Sequence, residues 1–227
     1  VGVYMGDHNG KLPPAIAGDP MGPPLSGQQH QWLRPSALNC RPEPGGGTGL
    51  NGGYHGKYLF SYLPEVDVFN CPFSPVDSES LLTAPGGTQI TYQENYEKGL
   101  AGADCSYLFL WNYQGFDNSV SETRFAGAGS NKRGAAKLLI SDVLFFSDYL
   151  WSDPGPNTWA STHPFKGSEK VDDSVHYIMR DPNYDDQPME VRYNAGYLDG
   201  SVLRYKSRDT VKALSNIVHV YLTKKLR

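Results

Sequence analysis

Residues 180–187 carry the side chains of this 227-residue chain that are best suited to chemistry, namely closely spaced oxygen donors. Three of the donors alternate along the chain as do the first three ligands of an EF-hand calcium loop. The match then fails, because Asp186 stands where glycine is required and Arg192 where the bidentate glutamate belongs. A polar turn held by Asx hydrogen bonds is the favoured interpretation, and a calcium loop of another shape is the alternative. The candidate calcium ligands are Asp181, Asn183, Asp185 and Asp186.

Carboxylates are frequent in the second half of the chain and could serve acid–base hydrolysis. A glycosidase needs two of them about 5 to 10 Å apart across a cleft, and the 15 Tyr and 4 Trp residues could contact carbohydrate. Spacing does not show which carboxylates meet, and acidic loop residues are usually just solvated. The candidates are Asp142, Asp148, Asp153, Asp172, Asp173, Asp185, Asp186 and Asp199.

Nucleophilic catalysis finds no support in the sequence. There is no G-x-S-x-G elbow, and none of the six histidines has a recognised Ser/His/Asp or Cys/His context. We interpret His163 and His176 as surface or hydrogen-bonding residues. Cys71 precedes Pro72, which is typical of a structural strand end and not of an activated thiol. The sequence therefore predicts no catalytic residues.

The three cysteines, Cys40, Cys71 and Cys105, form neither a CxxC motif nor a Cys/His metal spacing, so zinc is not indicated. An odd number permits one disulfide and one free thiol in an oxidising compartment. The pairing is left open.

Composition limits the class of protein. With 25 Gly, 17 Pro and 12% aromatic residues, the chain is expected to be folded, rich in loops and poor in helix. A coiled coil, a collagen and a helical bundle are thereby excluded. The net charge of −4 argues against nucleic acid as a partner. No apolar run approaches the roughly 20 residues of a membrane-spanning helix.

Hydrophobic patterning predicts an α+β domain with an antiparallel sheet and long loops. Residues 1–6 resemble the end of a helix, and Asp199-Gly200 marks a hairpin turn. An amphipathic helix is expected after Asp209, and a short one near residues 28–38. The predicted strands are residues 105–113, 137–146, 191–198 and 201–205, and the predicted loops are 15–56, 74–104 and 147–174.

Three segments together resemble a known family. The run from Tyr4 to Pro13 is similar to the end of the long N-terminal helix of type II secretion pseudopilins. Cys71-Pro72, with Ser106-Tyr107 later, resembles the Cys-Pro element of a pseudopilin-like bacterial family with prepilin-type cleavage signals. The run from Asn194 to Val202 resembles that family's terminal Asn-x-x-Phe-x-Asp-Gly-x-Val motif, although Met189 replaces a histidine that the family often carries.

The resemblance implies a pilin-like fold for residues 1–227, as a single soluble head domain whose N-terminal membrane helix is missing from this chain. It implies an inner-membrane anchor, a periplasmic or cell-surface head and other pseudopilin subunits as partners. Because major pseudopilins bind calcium in a C-terminal loop, it also favours calcium at residues 181–186.

Two functional classes follow. The first is a non-catalytic structural subunit of a pilus-like or type II secretion assembly. The second is a cell-surface carbohydrate-binding or hydrolytic module that uses aromatic loops. A basic leader and about 20 apolar residues upstream of Val1 would favour the first class.

Overall fold

The computed structural model describes residues 1–14, 35–39, 53–112, 137–147, 158–171, 175–180, 191–214 and 219–223. Within these ranges the chain is α+β, as predicted, with short helices and antiparallel strands. The calcium candidates at residues 181–186, most of the helix predicted near residues 28–38 and Cys40 lie outside the described residues.

Three short α-helices occur among the described residues: α1 (Gly2–Asp7), α2 (Gly56–Leu59) and α3 (Tyr92–Lys98). The third has both of its ends capped. The side chain of Thr91 accepts a hydrogen bond from the backbone N–H of Glu94, and Gly99 ends the helix in the left-handed conformation. Two 3-10 turns cover Val66–Phe69 and Ser207–Asp209.

Fourteen strands are present in the described ranges, and every pairing between them is antiparallel. In chain order they are β1 (Ala37–Asn39), β2 (Leu81–Thr83), β3 (Gln89–Thr91), β4 (Ala103–Asp104), β5 (Tyr107–Phe109), β6 (Leu138–Asp142), β7 (Leu144–Ser147), β8 (Thr158–Ser161), β9 (Glu169–Lys170), β10 (Tyr177–Arg180), β11 (Arg192–Tyr197), β12 (Val202–Lys206), β13 (Thr210–Leu214) and β14 (His219–Thr223).

A four-stranded sheet has the order β12-β11-β6-β5, so all four predicted strands pair in one sheet. The prediction for residues 137–146 was nevertheless wrong in one respect, because this run is split at Val143. The part before Val143 is β6, and the part after it is β7, which belongs to the other large sheet. The split has a physical cause: the backbone N–H of Val143 donates to the Thr162 hydroxyl at 2.6 Å and not to a neighbouring strand.

A six-stranded sheet has the order β13-β14-β7-β8-β10-β9. It corrects the prediction of a helix after Asp209, because residues 210–214 and 219–223 form a hairpin. The apolar spacing suited a helix, but this segment is rich in β-branched residues and β14 gains a partner in β7. The loops predicted at 74–104 and 147–174 also hold regular structure, namely β2, β3, α3 and β4 in the first and β8 and β9 in the second.

The main core joins the short helices to the four-stranded sheet. Tyr4 of α1 and Leu59 of α2 pack in the same buried cluster as Phe109 of β5. The other buried members are Leu38, Val66, Phe69, Val76, Tyr92, Tyr96, Cys105, Trp111 and Val175. Among the residues described, no helix has the length and apolar character needed to cross a bilayer.

Candidate functional site

Four polar side chains from four separate parts of the chain meet beside the four-stranded sheet. They are Cys71, Asp142, His163 and Asn194, and we call them the Asp142 cluster. Cys71 follows the first 3-10 turn, and Asp142 is the last residue of β6. His163 lies two residues beyond β8, and Asn194 lies within β11.

The carboxylate of Asp142 is the centre of the cluster. Its Oδ2 accepts hydrogen bonds from the backbone N–H and the side-chain amide of Asn194, at 2.6 and 3.0 Å. The same oxygen lies 2.9 Å from Nε2 of His163. The Asp142 side chain is 5% exposed and that of His163 is 30% exposed. A buried carboxylate is thus held by three donors, which offset the cost of its removal from water.

Cys71 completes the cluster on the other side of the imidazole. Its Sγ lies 3.6 Å from Nδ1 of His163. In the neutral tautomer that donates from Nε2 to the carboxylate of Asp142, Nδ1 of His163 accepts from the thiol. Cysteine, histidine and aspartate therefore stand in the order that a nucleophile, a base and an orienting carboxylate would require.

Thr162, next to His163, fixes the backbone from which the ring projects. Its hydroxyl donates to the backbone oxygen of Ser106, and its N–H donates to the backbone oxygen of Val143 at 3.1 Å. Together with the bond from the Val143 N–H, these contacts fix β8 and the split between β6 and β7 against the start of β5. The position of His163 is set by this backbone network.

The Cys71 loop is also held by hydrogen bonds to neighbouring segments. The N–H of Ser106 donates to the backbone oxygen of Phe69 at 3.2 Å and to the Asn70 side chain at 3.3 Å. The hydroxyls of Ser74 and Ser106 both donate to the backbone oxygen of Val175, each at 3.3 Å. The loop is thereby joined to β5 and to the segment before β10.

The electrostatics of the site disfavour a reactive thiolate. Burial raises the pKa of the Cys71 thiol, a hydrogen bond from the Phe73 backbone offsets part of this rise, and the nearby charge of Asp142 adds to it. Cys71 is only 3% exposed. Tyr107, opposite Asp142 on β5, has its pKa raised to about 12, first by burial and then by the charges of Cys71 and Asp142. The thiol at rest is thus neutral and enclosed.

The sequence did not predict this meeting of residues. Asp142 was one of eight candidate carboxylates, and His163 and Cys71 were assigned separate structural roles. The hydrogen-bonding interpretation of the histidines is confirmed, since His163 bonds to Asp142 and His176 bonds to the backbone oxygen of Cys105 at 3.0 Å. A pairing signal could have come only from knowing that β6 and β11 are adjacent strands, because this adjacency places Asp142 beside Asn194.

The structure also shows the state of two cysteines and the form of the Asp199-Gly200 turn. Cys71 and Cys105 are both free and buried. In the predicted Asp199-Gly200 turn, Gly200 has a φ of +83° and the Asp199 carboxylate accepts from the N–H and hydroxyl of Ser201 at 2.9 and 2.6 Å. This Asp-Gly pair therefore forms the hairpin turn by ordinary turn chemistry.

The N-terminal segment docks on the same domain. Tyr4 is buried and stacks on His8, with ring centroids 3.9 Å apart. Tyr62, after α2, packs edge-on against Tyr4 and donates its hydroxyl to the carboxylate of Asp7 at 2.9 Å. Tyr4 and Asp7, both in the run that resembles the end of the pseudopilin helix, thus hold α1 against the core.

Metal ligation has no support among the described residues. No group of three or more His, Cys, Asp or Glu side chains in the described ranges is arranged to hold a metal ion. Comparison with protein-family models, characterised proteins and solved structures gives no significant match to this chain.

Proposed function

We propose that this chain is a non-catalytic structural subunit of a pilus-like or type II secretion assembly, with a pilin-like head. One observation carries the proposal: the segments that resemble pseudopilins hold the domain together. Tyr4 and Asp7 dock α1, Cys71 and Asn194 meet through His163 and Asp142, and Asp199 makes the hairpin turn. These structural contacts explain the motif residues without any role in binding a substrate.

The state of the thiol supports a structural role for the Asp142 cluster. Catalysis by cysteine needs an accessible sulfur and a thiolate that forms readily. Cys71 is enclosed, and burial raises its pKa. The cluster instead connects the Cys71 loop, β6, the segment after β8 and β11. We therefore assign the Asp142 cluster as a polar latch. It joins residues 53–112, which carry α2 and α3 and which we call the helical half, to the four-stranded sheet.

The proposal includes the setting that the resemblance implies. The subunit would be anchored in the inner membrane by a helix outside this chain, with its head in the periplasm or at the cell surface. Its partners would be other pseudopilin subunits. Calcium at Asp181, Asn183, Asp185 and Asp186 belongs to this proposal as a stabilising ion, and calorimetric titration of calcium into chelator-treated protein tests it.

Fractionation of cells that produce the protein tests the assignment. Surface filaments are sheared off, pelleted and probed with an antibody against this chain. A structural subunit is enriched in the pellet, and enrichment is lost when the assembly ATPase or prepilin peptidase of those cells is inactivated. A chain found only in the soluble fraction, unaffected by either inactivation, contradicts the proposal.

A second function, thiol-dependent hydrolysis, is favoured by one observation, the order Cys71–His163–Asp142. Hydrolysis of an activated ester by purified protein tests it, with Cys71→Ser and His163→Gln as the inactivating variants. Turnover that depends on both residues would favour hydrolysis over the latch. The carbohydrate alternative gains little from the described aromatic residues, since Trp111 and Trp159 are both buried. Melting shifts with added sugars test that alternative.

A further inference from the structure

The hairpin of β11 and β12 carries exposed basic side chains on one face, the face that also bears Asn194. In its register Arg192 is opposite Lys206, Asn194 is opposite Arg204, and Gly196 is opposite Val202. Residues directly opposite each other share a face of the sheet. Tyr193, Ala195, Tyr197 and Tyr205 point to the other face and are buried. We call the set Arg192, Val202, Arg204 and Lys206 the basic face.

The basic face is open to solvent from the turn end of the hairpin, where Val202 lies opposite Gly196, to Arg192 at the far end. Val202 is 66% exposed, and Arg192 and Arg204 are also exposed. Neither arginine forms an ion pair with any carboxylate in the described parts of the chain. An exposed apolar residue beside exposed cations offers a small contact surface that is mainly polar.

A complementary surface lies on the helical half of the same chain. Residues 53–112 contain seven Asp or Glu and two Lys, whereas residues 191–214 contain five Lys or Arg and two Asp. Gln93 of α3 brings part of this acidic charge together. Its amide donates to the backbone oxygen of Pro64 at 2.8 Å and to Glu97 at 3.0 Å, and it accepts from the N–H of Val66 at 2.9 Å.

Glu97 is therefore held next to the 3-10 turn that bears Asp67, just after Glu65. All three carboxylates are exposed, and Val68, which follows Asp67 in the turn, is 51% exposed. We call the set Glu65, Asp67, Val68 and Glu97 the acidic face. Each of the two faces therefore has one exposed valine beside charges of a single sign.

We propose that the basic face of one molecule docks on the acidic face of a second copy of this chain. The two faces are different surfaces, so the contact is heterologous and leaves one face free on each end copy. Such a contact propagates into an open chain of subunits. The inference rests on the proposed function, because it identifies the contact by which neighbouring heads in a filament would recognise each other.

The competing explanation is that the cations only protect an edge strand. β12 is the last strand of its sheet in the described residues, and Lys or Arg on an edge prevents unwanted pairing. The two explanations predict opposite results for charge removal. If the cations protect the edge, Arg192→Ala with Arg204→Ala increases self-association; if they dock on carboxylates, the same change weakens it.

Sedimentation analysis of the purified chain up to about 1 mM, at low and high salt, tests the proposal. We expect self-association that weakens with salt. R192E/R204E should weaken association roughly tenfold or more, and E65K/D67K should do the same independently. An equimolar mixture of the two variants should restore pairing, since each retains the face that the other has lost.

K166E/K170E is the matched control, because both lysines are exposed and the change in net charge equals that of R192E/R204E. It should associate as the unaltered chain does. Circular dichroism checks that each variant is folded. A monomer at every concentration, an equal effect of the control, or failure of the mixture to pair overturns the contact.

These outcomes are separable from the proposed function. Suppose that the charge variants self-associate as the unaltered chain does, and that the chain is found in sheared filaments. This result rejects only the contact between the two faces. If instead the purified chain pairs in a salt-sensitive way but is never found in filaments, only the assignment to a filament is rejected.

Discussion

Asp142 and Asn194 lie side by side on β6 and β11, and Oδ2 of Asp142 accepts both the backbone N–H and the side-chain amide of Asn194. The side chain of Asp142 in β6 thus accepts a hydrogen bond from a backbone N–H of the neighbouring strand β11. The same oxygen also faces Nε2 of His163, so one buried atom joins two strands and a loop. This relationship makes Asp142 the residue on which the latch most depends.

The first prediction concerns the loss of that charge. Asp142→Asn keeps the shape of the side chain but removes the anion and gives His163 a poorer partner. We expect the free energy of unfolding to fall by about 3 kcal/mol, the usual cost of breaking a buried charge-assisted network from one side. Urea denaturation measures it. Asp67→Asn, at an exposed turn, is the control and should change stability by less than about 0.5 kcal/mol. An equal loss in both variants would reject the latch.

The second prediction concerns pH and His55. Burial lowers the pKa of His55 from 6.5 to about 3, and its ring packs edge-on against Phe109 and Trp111. Between these two pKa values the unfolded chain binds a proton that the folded chain does not. The contribution of His55 is therefore intact above pH 6.5, and stability falls by about 1.4 kcal/mol per pH unit as the pH drops towards 3.

Urea denaturation at a series of pH values measures this slope. His55→Leu should flatten it, because the variant has no group to protonate at this site. His8→Leu, at an exposed position of the N-terminal turn, should keep it. The assignment fails if the slope is unchanged in His55→Leu.

The third prediction concerns a close approach of two helices. A Cβ on Gly56 of α2 would lie 1.9 Å from the backbone oxygen of Tyr96 in α3, and a backbone atom cannot move aside cheaply. Gly56→Ala should therefore cost about 3 kcal/mol or leave the chain unfolded. Gly6→Ala in α1, where nothing lies within 4 Å, should be neutral or stabilise slightly. Thermal unfolding compares the two, and equal melting temperatures would refute the packing of α2 on α3.

The fourth prediction concerns the two described thiols. Burial raises the pKa of both Cys71 and Cys105, so both should react slowly with iodoacetamide in the folded protein at pH 8 and quickly in urea. Peptide mass spectrometry resolves the two rates. His163→Gln should leave the rate at Cys71 within about threefold, because in a latch the imidazole orients the thiol but does not activate it. A Cys71 that reacts far faster than Cys105 only when His163 is present would instead support catalysis.

Local chemistry predicted much of the sheet. Asp199-Gly200 is a turn signal between two β-rich runs, so β11 and β12 were found within one residue of their ends. The C-terminal hairpin was missed because Val211, Leu214 and Leu222 also satisfy a helical period. Pairing of β14 with β7, 73 positions apart at His219 and Phe146, decided between the two structures. No local pattern contains that pairing.

The candidate site was harder to predict than the fold. Each member of the Asp142 cluster has an ordinary sequence context, and its partners lie between 21 and 92 positions away. Only the tertiary structure brings these four residues into contact. The calcium ligands predicted at residues 181–186 stay a prediction, because that loop lies outside the described residues.

Cryo-electron microscopy of filaments sheared from producing cells tests the central claim most directly. The account predicts a helical array whose outer density fits one copy of this domain per subunit, with its two large sheets and three short helices. The β11–β12 hairpin of each copy should lie against the Val66–Phe69 turn of its neighbour. Filaments whose density has no place for this domain, from cells in which the protein is abundant, would contradict it.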